Sequence, residues 1–136
     1  MFYCEILSGL WIGDVDMMYN REFLQDNDIS IIVNCTIEYQ FPEIDIIKNR
    51  IPLSQQMNES DIYLLQKNIQ KIISYLDKGL NMNHILVCCY DGKVISPLLV
   101  ACYIKYKDPK LTTQSIMDAM KTKHADIIFP HSLDMF

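Results

Sequence analysis

The middle of the chain carries the feature that most restricts its fold, an apolar strand that runs through a short loop directly into an apolar helix. The apolar run 85–89 is followed by the loop 90–95, which has one glycine, then by a Ser-Pro pair and the apolar stretch 98–104. A loop in this position points successive backbone N–H groups inward, and the helix dipole adds partial positive charge. Both effects stabilise an oxyanion and a thiolate, and Cys89 lies where a thiol nucleophile would lie. The sequence therefore predicts a phosphate-binding loop at this turn.

Short β-rich runs alternate with helical stretches along the chain, which is the pattern of an α/β domain. The continuous apolar runs 31–33 and 85–87 suit strands buried on both faces. Between residues 60 and 78, apolar residues recur at helical spacing and can cover one sheet face. Strands are predicted at 4–7, 10–13, 29–35, 46–51 and 85–88, and helices at 17–26, 60–78, 96–107, 112–121 and from Pro130. We expect a central, mostly parallel sheet flanked by helices, with the phosphate loop between a central strand and the helix that starts near Ser96.

Length and composition are those of one globular domain. The chain has 136 residues, half of them apolar, and no linker or repeat divides it, so residues 1–136 are expected to form a single domain. The net charge of −5 argues against a nucleic-acid-binding surface, which usually carries a basic patch. The sequence has no cationic leader and no run of about 18 apolar residues, so we expect a cytoplasmic protein without a membrane segment.

The five cysteines are odd in number and irregularly spaced, which does not predict a disulfide framework. Cys4, Cys35 and Cys102 fall on apolar faces, as expected of buried cysteines in a reducing compartment. Cys88 and Cys89 are expected to face the phosphate loop. A zinc site made by this pair and a histidine is disfavoured, because adjacent cysteines lack the two-residue gap that lets both thiolates reach one ion. We predict no metal and no cofactor.

Three segments have counterparts, in the same order, in one known family. Residues 6–14 read ILSGLWIGD, residues 29–36 read ISIIVNCT, and residues 89–96 read CYDGKVIS. They resemble three segments of the dual-specificity protein tyrosine phosphatases: the L-x-x-G-L-Y-L-G-D opening, the I-x-x-I-L-N-V-T strand, and the signature of a cysteine, five residues, an arginine and a serine or threonine. The resemblance implies that family's fold, with Cys89 as the nucleophile. Its phosphate-binding residues would be Tyr90, Asp91, Gly92, Lys93, Val94, Ile95 and Ser96.

The arginine of this signature is absent, because Ile95 stands in its place. In the family, that arginine holds two oxygens of the transferring phosphoryl group with a planar fork of donors, and isoleucine has no donor. The chain has two arginines, Arg21 and Arg50, and neither is near the loop in sequence, so a substitute would have to arrive through the fold. Lys93 would substitute poorly, because its ammonium is a point charge on a flexible stem, and we expect it to be solvated.

The general acid of the family is absent as well. Residues 51–55 read IPLSQ and resemble the I-P-V/L-x-D segment, whose aspartate donates the proton. Gln55 takes that position, and an amide cannot protonate a leaving group. Glu59 and Asp61 are the nearest carboxylates, and we expect both in the first turn of a helix, where such residues cap free N–H groups. Cys88 replaces the histidine that precedes the nucleophile in the family.

Without the arginine and the acid, we expect a catalytically impaired protein of this fold, a pseudophosphatase. It would bind phosphoresidues weakly, with a phosphate or sulfate ion able to enter the loop, or serve as a scaffold in phospho-signalling with a phosphoprotein or another protein as partner. Two alternatives remain open. One is a weak or atypical tyrosine or dual-specificity phosphatase that uses Cys89 with an unrecognised cation. The other is a thiol redox sensor built on Cys88 and Cys89, because a helix N-terminus lowers a thiol pKa.

Overall fold

One five-stranded sheet organises the chain, and the computed structural model describes residues 1–136. The strands are β1 (Tyr3–Leu7), β2 (Leu10–Gly13), β3 (Ile29–Asn34), β4 (Ile47–Arg50) and β5 (His84–Cys88). Their order across the sheet is β1-β2-β5-β3-β4. Only the β1–β2 pair is antiparallel, and the other three pairs are parallel. The prediction of a central, mostly parallel sheet with β5 in its middle is confirmed.

The helices are α1 (Val15–Met18), α2 (Arg21–Asp26), α3 (Glu59–Leu80), α4 (Ile95–Lys107) and α5 (Thr113–Lys123), followed by a 3-10 turn (Leu133–Met135). Every helix except α4 begins after a residue whose polar side chain caps its first turn. The predicted helix 17–26 is two short helices, because the Asn20 side chain accepts the Phe23 N–H at 2.9 Å and starts a new one. The last predicted helix begins after the Ser132 cap and not at Pro130.

The sheet buries an apolar core on each face. The larger core lies under α3, α4 and α5 and takes in Ile85, Val87 and Cys89. The smaller core lies under α1 and α2 and takes in Leu86 and Cys88. Side chains alternate along a strand, so neighbouring residues of β5 enter different cores. Burial on both faces explains why the sequence of this strand is apolar without interruption.

All five cysteines are free thiols in the structure. Cys35 and Cys102 belong to the larger core, and the half-buried Cys4 packs against it, which confirms their expected placement on apolar faces. None of the helices combines the length and the apolar character that a bilayer-spanning helix needs.

Candidate functional site

The segment that leads from β5 into the first turn of α4, residues 89–96, curls around the Cys89 sulfur; we call it the phosphate loop. The backbone nitrogens of Gly92 and Ser96 lie 3.2 Å and 3.4 Å from Cys89 Sγ, and both N–H groups donate to it. Gly92 has φ +76°, a left-handed conformation that turns the chain back over the cysteine. Helix α4 starts directly behind the loop, so its positive dipole end is near the sulfur. The loop thus supplies donors to an anion at this position.

The thiol at the base of the phosphate loop is closed off from solvent. The exposed fraction is 1% for Cys89, 2% for Ile95 and 0% for Ser96. None of the five principal surface pockets is lined by a residue of the 89–96 segment. The thiol therefore presents almost no surface to solvent.

Ile95 leaves the arginine position of the loop without a cation. It is the first residue of α4, and its side chain belongs to the larger core. Arg50 does not replace the missing cation, because its guanidinium donates to the carbonyl oxygens of Thr36 and Tyr39, each at 2.8 Å. The same guanidinium lies 5.2 Å from the ring centroid of Phe41. Its position is fixed by the loop after β3.

The other two candidate cations each have different neighbours. Arg21 lines a separate surface pocket with Asp28 and Asp45. Lys93 is half-buried, and its ammonium lies 5.9 Å from the ring centroid of Phe2, a cation–π contact. Lys93 is therefore partly exposed, with an aromatic ring on one side of it.

Asp91 places a carboxylate at the edge of the phosphate loop. Its Oδ1 accepts the N–H of Lys93 at 2.9 Å and lies 3.9 Å from Cys89 Sγ. A negative charge at this distance opposes a thiolate and an incoming phosphate alike. Asp91 therefore occupies one backbone donor of the loop and repels the anions that the other donors attract.

The balance of these groups favours the neutral thiol. Burial raises the pKa of Cys89, and Asp91 raises it further, whereas the side chain and N–H of Ser96 and the N–H of Gly92 lower it. The Ser96 hydroxyl is buried without an aligned hydrogen-bond partner, so ionisation of the thiol would supply the acceptor that it lacks. Burial is the largest of these effects, so the pKa of the Cys89 thiol lies above its ordinary value.

Cys88 does not face the phosphate loop, contrary to the prediction. Its side chain lies on the α1–α2 side of the sheet, with its Sγ 3.7 Å from the Sδ of Met18. The alternation of side chains along β5 sends Cys88 and Cys89 to opposite faces. Burial raises the pKa of the Cys88 thiol far above its ordinary value. The two neighbouring thiols are therefore not brought together at one site.

The segment that carries Gln55 adjoins the phosphate loop. The Tyr90 hydroxyl donates to the carbonyl oxygen of Leu53 at 2.8 Å and so joins the two segments. Gln55 follows in an exposed turn. The position that the motif comparison assigns to the general acid thus lies in a segment that contacts the phosphate loop. The residue at that position, Gln55, carries an amide.

Asp61 is occupied by structural hydrogen bonds. Its carboxylate accepts the backbone N–H groups of Ser54 and Asn58, each at 3.0 Å, and also contacts the Ser54 hydroxyl. With the Asn58 side chain it forms a capping box at the start of α3. Glu59 is exposed in the same first turn. The expectation that Glu59 and Asp61 belong to the first turn of a helix is confirmed.

Two contacts that hold the phosphate loop were not predicted. The N-terminal segment covers it, since a Cβ on Gly92 would lie 2.6 Å from the Cδ1 of Phe2, whose N–H donates to the Asp14 carboxylate at 2.7 Å. On the other side, the carbonyl oxygen of Lys93 accepts the Ile128 N–H at 2.9 Å. The residues in these two contacts are far apart in sequence. The one sequence signal is the Gly-Asp pair at 13–14, which belongs to the first family-like segment and supplies the carboxylate that binds the Phe2 N–H.

The fold has many counterparts among solved structures. DUSP15 superposes with a TM-score of 0.83 at 21% identity, over 96% of this chain and 81% of that chain. A mouse putative dual specificity phosphatase gives 0.80 at 15% identity, over 94% and 79%. The human tyrosine phosphatase-like serine/threonine/tyrosine-interacting protein gives 0.80 at 18% identity, over 98% and 91%. No family profile and no curated protein matches the sequence. The chain thus has the dual-specificity phosphatase fold that its motifs predicted.

Proposed function

We propose that this protein is a pseudophosphatase, with a phosphate loop that keeps the cysteine but cannot turn over a phosphoester. The buried side chain of Ile95 carries the proposal, because it fills the position from which the transferring phosphoryl group would be held. Loss of a transition-state arginine has cost about 10³ to 10⁵ in rate in other phosphoryl-transfer systems. The protonated thiol of Cys89 and the carboxylate of Asp91 should also lower the rate of attack on a phosphoester.

The leaving group also lacks a proton donor. Gln55 cannot protonate an alkoxide or phenoxide, and Asp61 is committed to the cap of α3. General acid catalysis is worth about 10² to 10⁴ in rate. The losses are not additive, because they affect one reaction step, but together they leave little turnover.

The function that remains is binding. The N–H groups of Gly92 and Ser96 converge on one point and do not depend on side chains, so the loop retains donors for an oxyanion. The mouse putative dual specificity phosphatase was solved in complex with zinc tungstate, which contains an oxyanion. We therefore assign weak binding of a phosphoresidue to the loop, or a scaffold role for the domain, with a phosphoprotein or another protein as partner.

The first test is hydrolysis. We expect purified protein to hydrolyse neither para-nitrophenyl phosphate nor a phosphotyrosine peptide above a Cys89→Ser control. The aryl phosphate needs little protonation of its leaving group, so it isolates the effect of the missing arginine. Turnover of about 1 s⁻¹, within the usual enzyme range, that is lost in Cys89→Ser would instead support the alternative of an atypical phosphatase.

The second test is anion binding. We expect phosphate and phosphotyrosine to shift the amide resonances of Gly92 and Ser96 with a dissociation constant in the millimolar range, which corresponds to roughly 4 kcal/mol. Asp91→Asn should bind more tightly, because the repulsive charge at the loop edge is removed. Micromolar binding by the wild type would mean that a cation serves the loop. If these amide resonances do not shift, the loop does not bind the anion, and only the scaffold role remains.

The redox-sensor alternative is not favoured by the arrangement of the thiols. Peroxide reacts with a thiolate, and the pKa values of Cys88 and Cys89 are both raised by burial. The two sulfurs also lie on opposite faces of the sheet, so neither is placed to resolve an oxidised form of the other.

A further inference from the structure

The outer edge of β4 has unpaired backbone groups. This strand is last in the sheet and pairs with β3 alone. Just beyond it, the N–H of Ile51 donates to the carbonyl oxygen of Asn34 at 2.9 Å. Backbone groups alternate in direction along a strand, so Asn49 also faces β3, whereas Lys48 and Arg50 direct their N–H and C=O groups outward. No strand or loop of the chain pairs with these outward groups.

A groove of about 370 Å³ runs beside this edge, between β4 and α3. Its apolar lining includes Val33, Ile51, Leu64, Ile72, Tyr75 and Leu76. A strand added to the edge would direct every second side chain towards this face of the sheet. The edge and the groove therefore offer the two parts of a strand-addition site, free main-chain groups and a place for alternate side chains.

The charged residues at this site are all cationic. Lys71 lines the groove, and Lys48 and Arg50 lie on the strand, with the Arg50 guanidinium on the other face of the sheet beside Phe41. None of the three forms a salt bridge, and Arg50 is held by neutral carbonyl groups. Asp45, the carboxylate nearest to β4 in sequence, lines a different pocket together with Arg21. Although the net charge of the chain is −5, the charged residues at this edge are positive, and no acidic residue lines the groove.

We propose that the β4 edge and its groove bind an extended acidic segment of a partner protein, which adds to the sheet as a sixth strand. The outward groups of Lys48 and Arg50 would pair with the main chain of the segment. Its apolar side chains would enter the groove, and its carboxylates would lie near the cations. A second copy is disfavoured, because symmetric pairing of two β4 edges would place Lys48 and Arg50 of each copy close to the same residues of the other. The proposal does not depend on the phosphate loop.

A synthetic capped peptide that alternates glutamate with valine tests this proposal, with a peptide that alternates lysine with valine as its counterpart. We expect the acidic peptide to bind and to shift the amide resonances of Lys48 and Arg50, and the basic peptide not to bind. Lys48→Pro should weaken binding by about tenfold or more, equal to about 1.4 kcal/mol, because it removes only an outward donor from an edge strand. Lys48→Ala is the matched control: it removes the charge, keeps the donor and should bind more tightly than Lys48→Pro.

Three results would overturn the proposal. One is equal binding of the two peptides, and another is equal affinity of the wild type and a Lys48→Pro variant with an unchanged cooperative melt. The third is self-association in analytical ultracentrifugation that Lys48→Pro abolishes, because the occupant of the edge would then be a second copy. If Lys48→Pro does not fold, the double variant Lys48→Glu, Lys71→Glu serves instead. It should lose the acidic peptide, and retention would overturn the proposal.

Discussion

Replacing Ile95 by arginine should turn this protein into a measurable aryl phosphatase, with a gain over the wild type of about 10³ or more. Position 95 is the first residue of α4 and directly precedes Ser96, whose backbone nitrogen lies 3.4 Å from Cys89 Sγ. An arginine here could present two parallel N–H groups to the phosphoryl oxygens. The bound phosphate would in turn compensate the positive charge placed in a buried site. Release of para-nitrophenol measures the effect.

The control variants separate charge from geometry. Ile95→Lys supplies a charge without the fork of donors and should give a much smaller gain. Cys89→Ser should abolish the activity of Ile95→Arg, and adding Gln55→Asp should help mainly with poor leaving groups. A folded Ile95→Arg variant should bind phosphate and therefore melt at a higher temperature in its presence. If it is stabilised in this way and still does not hydrolyse the aryl phosphate, the alignment of the loop with the family signature is wrong.

The sheet could be predicted because its central strands are buried on both faces. The runs 31–33 and 85–87 contain only apolar residues, which is required where helices cover each side of a sheet. The start of α3 could also be predicted, because Asn58 and Asp61 have the spacing of a capping box. These features depend on residues that are close in sequence, so local patterns describe them well.

Adjacency in the sequence motif does not mean adjacency in space, so the prediction that Cys88 faces the phosphate loop is wrong. Side chains alternate along β5, so Cys88 and Cys89 must point to opposite faces of the sheet, and only one of them can face the loop. The two short helices α1 and α2 were missed in a similar way, although Asn20 is a strong N-cap residue. Both features follow from local geometry, the alternation of side chains along a strand and the capping of a helix.

The closure of the phosphate loop could not be predicted from local patterns. It depends on contacts of Gly92 with Phe2 and of Lys93 with Ile128, which are distant in sequence. The identity of Ile95 indicated the loss of the cation, but only the fold places its side chain in the core and the thiol of Cys89 out of reach of solvent. Tertiary packing thus decides how accessible the site is.

Gly92→Ala should lower the free energy of unfolding by about 3 kcal/mol or more, a large share of the stability of a small domain. The φ of +76° disfavours any residue with a Cβ. The added Cβ would lie 2.6 Å from the Cδ1 of Phe2, 2.7 Å from the carbonyl carbon of Gly13 and 2.8 Å from the nitrogen of Asp14. The ring of Phe2 can rotate, but the other two atoms are backbone at the end of β2, so the loop itself must move. Urea unfolding measures the change.

Gly9→Ala is the matched control, because it imposes the same backbone strain without the backbone clash. Gly9 has φ +79°, and the three atoms nearest to a Cβ there all belong to the exposed ring of His84, the closest being Cδ2 at 3.0 Å. Its cost should be about 1 to 2 kcal/mol, the strain alone. In Gly92→Ala, displacement of the loop should also expose Cys89, so its alkylation by iodoacetamide should become faster under conditions in which the variant is folded. Equal costs at the two glycines would contradict tight packing of the loop against β2.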